Sequence, residues 1–82
     1  MKIDYNYIID FLSKKISSHS NTPLASLSSD VSMENIGLSS LDVVIISGEI
    51  EDEFDVEIEP SVIFESKTIN DVAHKLLKLI NE

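Results

Sequence analysis

At 82 residues, with 15 Asp+Glu against 6 Lys+Arg and a formal charge of −9, the chain has room for one small domain, expected over residues 1–82. It has no cysteine, which excludes disulfides, thiolate zinc sites and cysteine nucleophiles, and its two histidines, His19 and His74, are too few for a His-rich metal site. A hydrophobic fraction of 43% is too high for a disordered acidic tail, so a packed core is expected.

In chain order, Ile8, Phe11, Leu12 and Ile16 recur at helical spacing and predict a first helix over about residues 4–17, with Asp4 as its N-cap. Residues 18–38 follow with six serines before Glu34, plus Asn21 and Pro23, and read as a long irregular loop. Leu24, Leu27, Val31, Met33, Ile36 and Leu38 are expected to tack that loop onto the core, and Gly37 suits a tight turn before the next helix. A second helix starts at Ser39 or Ser40 and runs to about Phe54, with Val43, Ile46, Ile50 and Phe54 in its core stripe. The four apolar residues at 43–46 nearly encircle this helix. They leave Leu41 and Ile45 on its far side, Gly48 beside them and Val44 between the two faces.

Residues 55–60 alternate in polarity but have no strand to pair with, so a loop is expected. Pro60 then opens a short helix over residues 61–64. Thr68 caps the last helix with Asp71 at its third position, and Ile69, Val72, Ala73, Leu76, Leu77 and Ile80 form its apolar stripe. The expected fold is all-α: a small four-helix bundle, three helices longer and one short, with a long first loop.

Charge narrows the partners. Residues 16–66 hold no Lys or Arg but 11 Asp+Glu, and all six cations are lysines outside that window. Phosphate binding needs clustered Lys or Arg, so nucleic acid and membrane insertion are not expected. The longest apolar run, residues 43–46, is far too short to cross a bilayer. No signal-peptide pattern precedes Asp4, and a cytoplasmic monomer is expected. An anionic face this concentrated points to protein partners with basic surfaces.

Catalysis has little to stand on. A serine nucleophile needs a base, but His74, among Asp71, Lys75 and Lys78, reads as a surface or boundary histidine, and His19, in the serine-rich loop, reads as solvated. No glycine follows Gly48, so an EF-hand calcium loop is absent. No catalytic residue and no metal ligand is assigned. The informative run is Gly37-Leu38-Ser39-Ser40-Leu41-Asp42, where loop becomes acidic helix. A serine hydroxyl at the positive end of a helix dipole is a favourable place for a phosphate ester. Beside it, Leu41 and Ile45 ringed by Asp42, Glu49, Asp52 and Glu53 read as a docking surface for basic partners. Spacing alone slightly favours a plain helix cap with a harmless patch.

From here the sequence resembles the acyl carrier protein family, whose members carry a Gly-x-Asp-Ser-Leu-type motif opening the second helix. The matching run places the modified serine at Ser40, and the similarity continues through residues 49–55, Pro60, Ile63-Phe64 and Thr68-Ile-Asn-Asp71. The resemblance implies a carrier protein without catalytic activity of its own. Acyl or aminoacyl groups would be held as thioesters on a 4′-phosphopantetheine arm attached covalently to Ser40. It also implies a phosphopantetheinyl transferase, using magnesium on its own side, and loading and processing enzymes with basic docking surfaces. Asp42, Glu49, Asp52 and Glu53 would steer them, and Leu41, Val44 and Ile45 would supply apolar contact. Ile63 and Phe64 either border an acyl pocket or belong to the core.

Three departures are specific to this chain. Ser39 stands where the family usually has aspartate, Ile45 where fatty-acid carriers are often acidic, and Gly48 where a larger apolar residue is usual. Gly48 costs about 1 kcal/mol of helix propensity relative to alanine, which a packing or contact reason should offset. These changes favour a dedicated polyketide, nonribosomal peptide or specialised lipid pathway. The alternatives are a housekeeping fatty-acid carrier and a carrier-like interaction module that is never modified.

Overall fold

The computed structural model describes residues 3–81; residues 1, 2 and 82, the outer limits of the expected domain, lie outside the described residues. Five helices follow one another: α1 (Tyr5–His19), α2 (Met33–Ile36), α3 (Ser40–Phe54), α4 (Pro60–Glu65) and α5 (Ile69–Ile80). The fold is all-α, with three long helices as expected and no strand among the described residues.

Local chemistry sets most of the boundaries. The Asp4 carboxylate accepts a hydrogen bond from Tyr7 N–H at 2.9 Å and starts α1. Thr68 and Asp71 form the reciprocal cap of α5: Thr68 Oγ1 accepts from Asp71 N–H and the Asp71 carboxylate accepts from Thr68 N–H, each at 3.2 Å. Pro60 occupies the first turn of α4, where its missing N–H costs nothing. α3 ends at Asp55, a left-handed residue (φ 54°) whose N–H reaches Glu51 O, and aspartate is among the few side chains that tolerate that region.

The apolar stripes meet in one core. Ile8, Leu12 and Ile16 of α1 pack with Val43, Ile46, Ile50 and Phe54 of α3, Ile63 of α4, and Ile69, Val72, Ala73 and Leu76 of α5, all buried. Phe11, expected on the buried face, is only partly buried; it packs edge-on against Phe54 with ring centroids 5.1 Å apart. Ile58 is also buried, and its N–H donates to the Glu51 carboxylate at 3.0 Å. That bond holds the expected loop at residues 55–60 against α3.

The long first loop differs from expectation in its order. It contains a 3₁₀ turn (Leu24–Ser26) and the single turn α2. A four-residue helix is too short to show a period, and this one is anchored from outside. Met33 N–H donates to Lys67 O at 2.8 Å, and Asn70 N–H to Ser29 O at 2.7 Å. Ile36 is buried, and Leu27, Val31, Met33 and Leu38 pack against the core as expected, while Leu24 stays exposed. α1 also runs two residues beyond the expected end. Ser18 and His19, read as the start of the loop, are helical, and Ser17 Oγ donates to Thr22 O at 3.0 Å where the chain turns back after the helix.

Candidate functional site

The loop reaches α3 through Gly37, whose φ of +75° caps α2 in the left-handed region that glycine adopts without strain. Ser39 is then the N-cap of α3 and Ser40 its first helical residue. Ser39 Oγ accepts from Asp42 N–H at 3.1 Å, and the Asp42 carboxylate accepts from Ser39 N–H at 3.0 Å and from its hydroxyl at 2.9 Å. Those bonds to Ser39, backbone first and then side chain, hold the Asp42 carboxyl below its ordinary range. The two serines thus have separate environments. Ser39 is engaged in the cap; Ser40 is exposed, and its hydroxyl makes no hydrogen bond among the described residues.

The sequence left the cap at either serine, and the structure resolves it to Ser39. It also accounts for Ser39 in place of aspartate: both are good N-caps, so the turn presenting Ser40 is closed without the charge.

Beyond Ser40, α3 presents two flanks. Leu41 (68% exposed), Val44 (50%) and Ile45 (41%) lie open to solvent, as the sequence pattern implies, and Phe64 of α4 (53%) is exposed as well. The acidic residues behave differently. Glu49 accepts from Lys15 Nζ at 3.0 Å and lies 2.7 Å from His19 Nε2. Burial alone would raise the Glu49 carboxyl, but hydrogen bonds from Lys15 and His19 outweigh it and hold it below its ordinary value. Glu53 accepts a hydrogen bond from the Tyr7 hydroxyl. With Asp42 in the cap, three of the four acids expected on the docking face are held by the protein itself. Asp52 is exposed and has no partner among the described residues.

His19 is therefore not the solvated loop residue expected. It ends α1 and packs against Glu49 of α3, a contact 30 residues apart in sequence that no local pattern reveals. His74 is exposed on α5 as expected, with its ring 5.3 Å from that of Tyr5.

A recess of about 550 Å³ opens between the first loop and α4. Met33, Leu38, Val43, Ile63 and Phe64 form its apolar lining, with Lys67 and Glu34 among the polar residues. Ile63 is buried in the core, Phe64 is exposed, and both line the recess. Among the described residues no helix is long and apolar enough to cross a membrane.

Two solved structures share this fold. A free-standing peptidyl carrier protein from an uncharacterized secondary metabolic pathway of Acinetobacter baumannii superposes with a TM-score of 0.83 at 24% identity, covering 92% of this chain and 94% of that one. The HMG-ACPI domain of the CurA module from Lyngbya majuscula gives a TM-score of 0.79 at 14% identity, covering 95% and 80%. Comparison with curated protein sequences gives no significant match. The family described as "Phosphopantetheine attachment site" matches residues 10–76, which take in the later part of the first helix, the Ser40 turn and most of the last helix. The chain therefore belongs to the phosphopantetheine-attachment family, whose domains carry 4′-phosphopantetheine covalently on a serine.

Proposed function

We propose that this protein is an acyl or aminoacyl carrier, forming one carrier unit, and that Ser40 is the residue that takes the 4′-phosphopantetheine arm. The observation that carries the assignment is the division of labour at the α3 N-terminus, where Ser39 closes the cap and leaves the Ser40 hydroxyl exposed and unengaged. The site fits the group chemically: first-turn N–H groups and the helix dipole favour a phosphate ester at this position. When bound, the arm supplies a terminal thiol on which acyl groups are held as thioesters, which suits a chain with no cysteine.

In the modification, the Ser40 hydroxyl forms a bond to the pantetheine phosphorus of coenzyme A. The phosphoanhydride bond breaks, 3′,5′-adenosine bisphosphate leaves, and the hydroxyl proton passes to a base of the phosphopantetheinyl transferase. Ser40 is an attachment point and takes no further part in turnover. Leu41, Val44 and Ile45 offer apolar contact to the enzymes that reach it, and Asp52 offers an unengaged charge to their basic groups. Asp42, Glu49 and Glu53 add to the anionic field while remaining bound to their own partners. Ser39, Ile45 and Gly48 depart from the pattern of fatty-acid carriers and support service in a dedicated pathway, of polyketide, nonribosomal peptide or specialised lipid type, rather than housekeeping synthesis.

Incubation with coenzyme A and a broad-range phosphopantetheinyl transferase tests this reading. Intact mass rises by one phosphopantetheine group in the wild type and in Ser39→Ala, and does not rise in Ser40→Ala. No gain in the wild type overturns the carrier reading and leaves an unmodified interaction module.

A further inference from the structure

The recess between the first loop and α4 has two chemically different ends. At one end, Gly37, Leu38 and Val43 bring it to the turn that presents Ser40. Leu38 is two residues from Ser40, so their Cα atoms are at most about 7.6 Å apart. At the other end the chain is pinned. Met33 N–H donates to Lys67 O at 2.8 Å, and Lys67 N–H donates to the Asp71 carboxylate at 3.2 Å. Those bonds hold the backbone of Lys67 at the recess and leave the residue exposed.

The pinned end is cationic. Ser66 lines it at only 5% exposure, and its hydroxyl donates to Val62 O at 2.7 Å and accepts from Lys75 Nζ at 3.1 Å. The buried hydroxyl thus positions Lys75, whose ammonium keeps two further N–H donors. Neither Lys67 nor Lys75 forms an ion pair among the described residues, whereas Lys14 and Lys15 are paired with Asp10 and Glu49. Glu34 of α2 also lines the recess and makes no ion pair with Lys67. The Asp71 carboxylate is committed to the N–H groups of Lys67 and Thr68. In a chain of charge −9 with no cation in residues 16–66, two unpaired ammonium groups at one recess are a local excess of positive charge. Apolar surface that ends in cations fits an apolar chain that ends in an anion.

We infer that the group carried on the arm is the monothioester of a dicarboxylic acid whose two carboxyl carbons are separated by several methylenes. Its methylene chain lies along Leu38, Ile63 and Phe64, and its free carboxylate meets Lys67 and the remaining N–H donors of Lys75. The inference rests on the Ser40 reading and goes beyond it by naming the chemical class of the cargo and the residues that select it.

The test compares two cargoes that differ only at the far end. Wild type and a Lys67→Gln/Lys75→Gln variant are loaded at neutral pH by a broad-range transferase from adipyl-coenzyme A or hexanoyl-coenzyme A. The two acyl groups have the same number of carbons, and only the first ends in a carboxylate. Intact mass confirms loading, and the loaded forms are compared by thermal unfolding and amide NMR. One more negative charge on a chain this acidic would by itself lower Tm. The adipyl form of the wild type instead unfolds about 2 to 5 °C above the hexanoyl form, and its additional amide shifts centre on Ser66, Lys67 and Lys75. Both differences vanish in the variant. An adipyl form no more stable than the hexanoyl form, or an advantage that survives in the variant, overturns the inference and leaves Ser40 as the attachment site. Failure of the wild type to accept the arm from coenzyme A itself overturns both readings.

Discussion

The two flanks of α3 are built from the same helix and have opposite economies. On the side turned to α1, Glu49 and Glu53 are tied to Lys15, His19 and Tyr7, and Asp42 is tied into the cap. On the outward side, Leu41, Val44, Ile45, Gly48 and Asp52 meet nothing in the chain that would fix their identity. The acidic helix is therefore not uniform. Part of its charge is bonded to α1 and to the cap, and the outward strip is mainly apolar with one unengaged carboxylate.

Substitutions can break this contrast in order of size. The largest effect lies in the core beneath both flanks. Ile50 is fully buried, so Ile50→Ala should cost about 2 to 5 kcal/mol in chemical denaturation. Leu41→Ala, on the open strip, should change stability by less than about 0.5 kcal/mol and yet slow arm transfer. Equal stability costs for the two would erase the distinction between inner and outer faces.

The cap comes next. Ser39→Ala removes the acceptor for Asp42 N–H and should cost about 1 kcal/mol, whereas Ser39→Asp keeps the cap and should be near neutral. Denaturation midpoints check both, and a harmless Ser39→Ala would mean the cap contributes nothing to the turn that presents Ser40.

The smallest effect is the one that distinguishes the flanks by charge. The Glu49 carboxyl is held below its ordinary value of 4.5 in the folded state, so its contribution is present above that pH and is lost as pH falls through the lower folded value. Glu49→Gln should cost about 0.2 to 1 kcal/mol at neutral pH and flatten the fall in Tm below about pH 4.5. Asp52→Asn should leave Tm unchanged across the same range and instead weaken the salt dependence of arm transfer. Matching acid limbs for wild type and Glu49→Gln would show that the α1 flank contributes nothing through this carboxylate.

What the sequence made legible follows from the range of the interactions. The stripes of α1, α3 and α5 and the caps at Asp4 and Thr68 are read from residues three and four apart, and apart from the half-buried Phe11 they formed as expected. The motif around Ser40 is equally local. Contacts between elements were out of reach: Tyr7 meets Glu53 across 46 residues, His19 meets Glu49 across 30, and α2 forms because Met33 N–H finds Lys67 O. Ile58 was missed for the same reason, since a loop residue becomes core only when Glu51 fixes its backbone. Glu49 and Glu53 looked free because the chain pattern shows their face of the helix but not the neighbour that covers it.

The central claim is that one of two adjacent serines carries the arm and the other only caps the helix. Fragmentation mass spectrometry of the wild-type protein, after treatment with coenzyme A and a broad-range transferase, tests it directly. The account predicts the phosphopantetheine group on Ser40 with Ser39 unmodified. Attachment at Ser39, or no attachment at all, would contradict it.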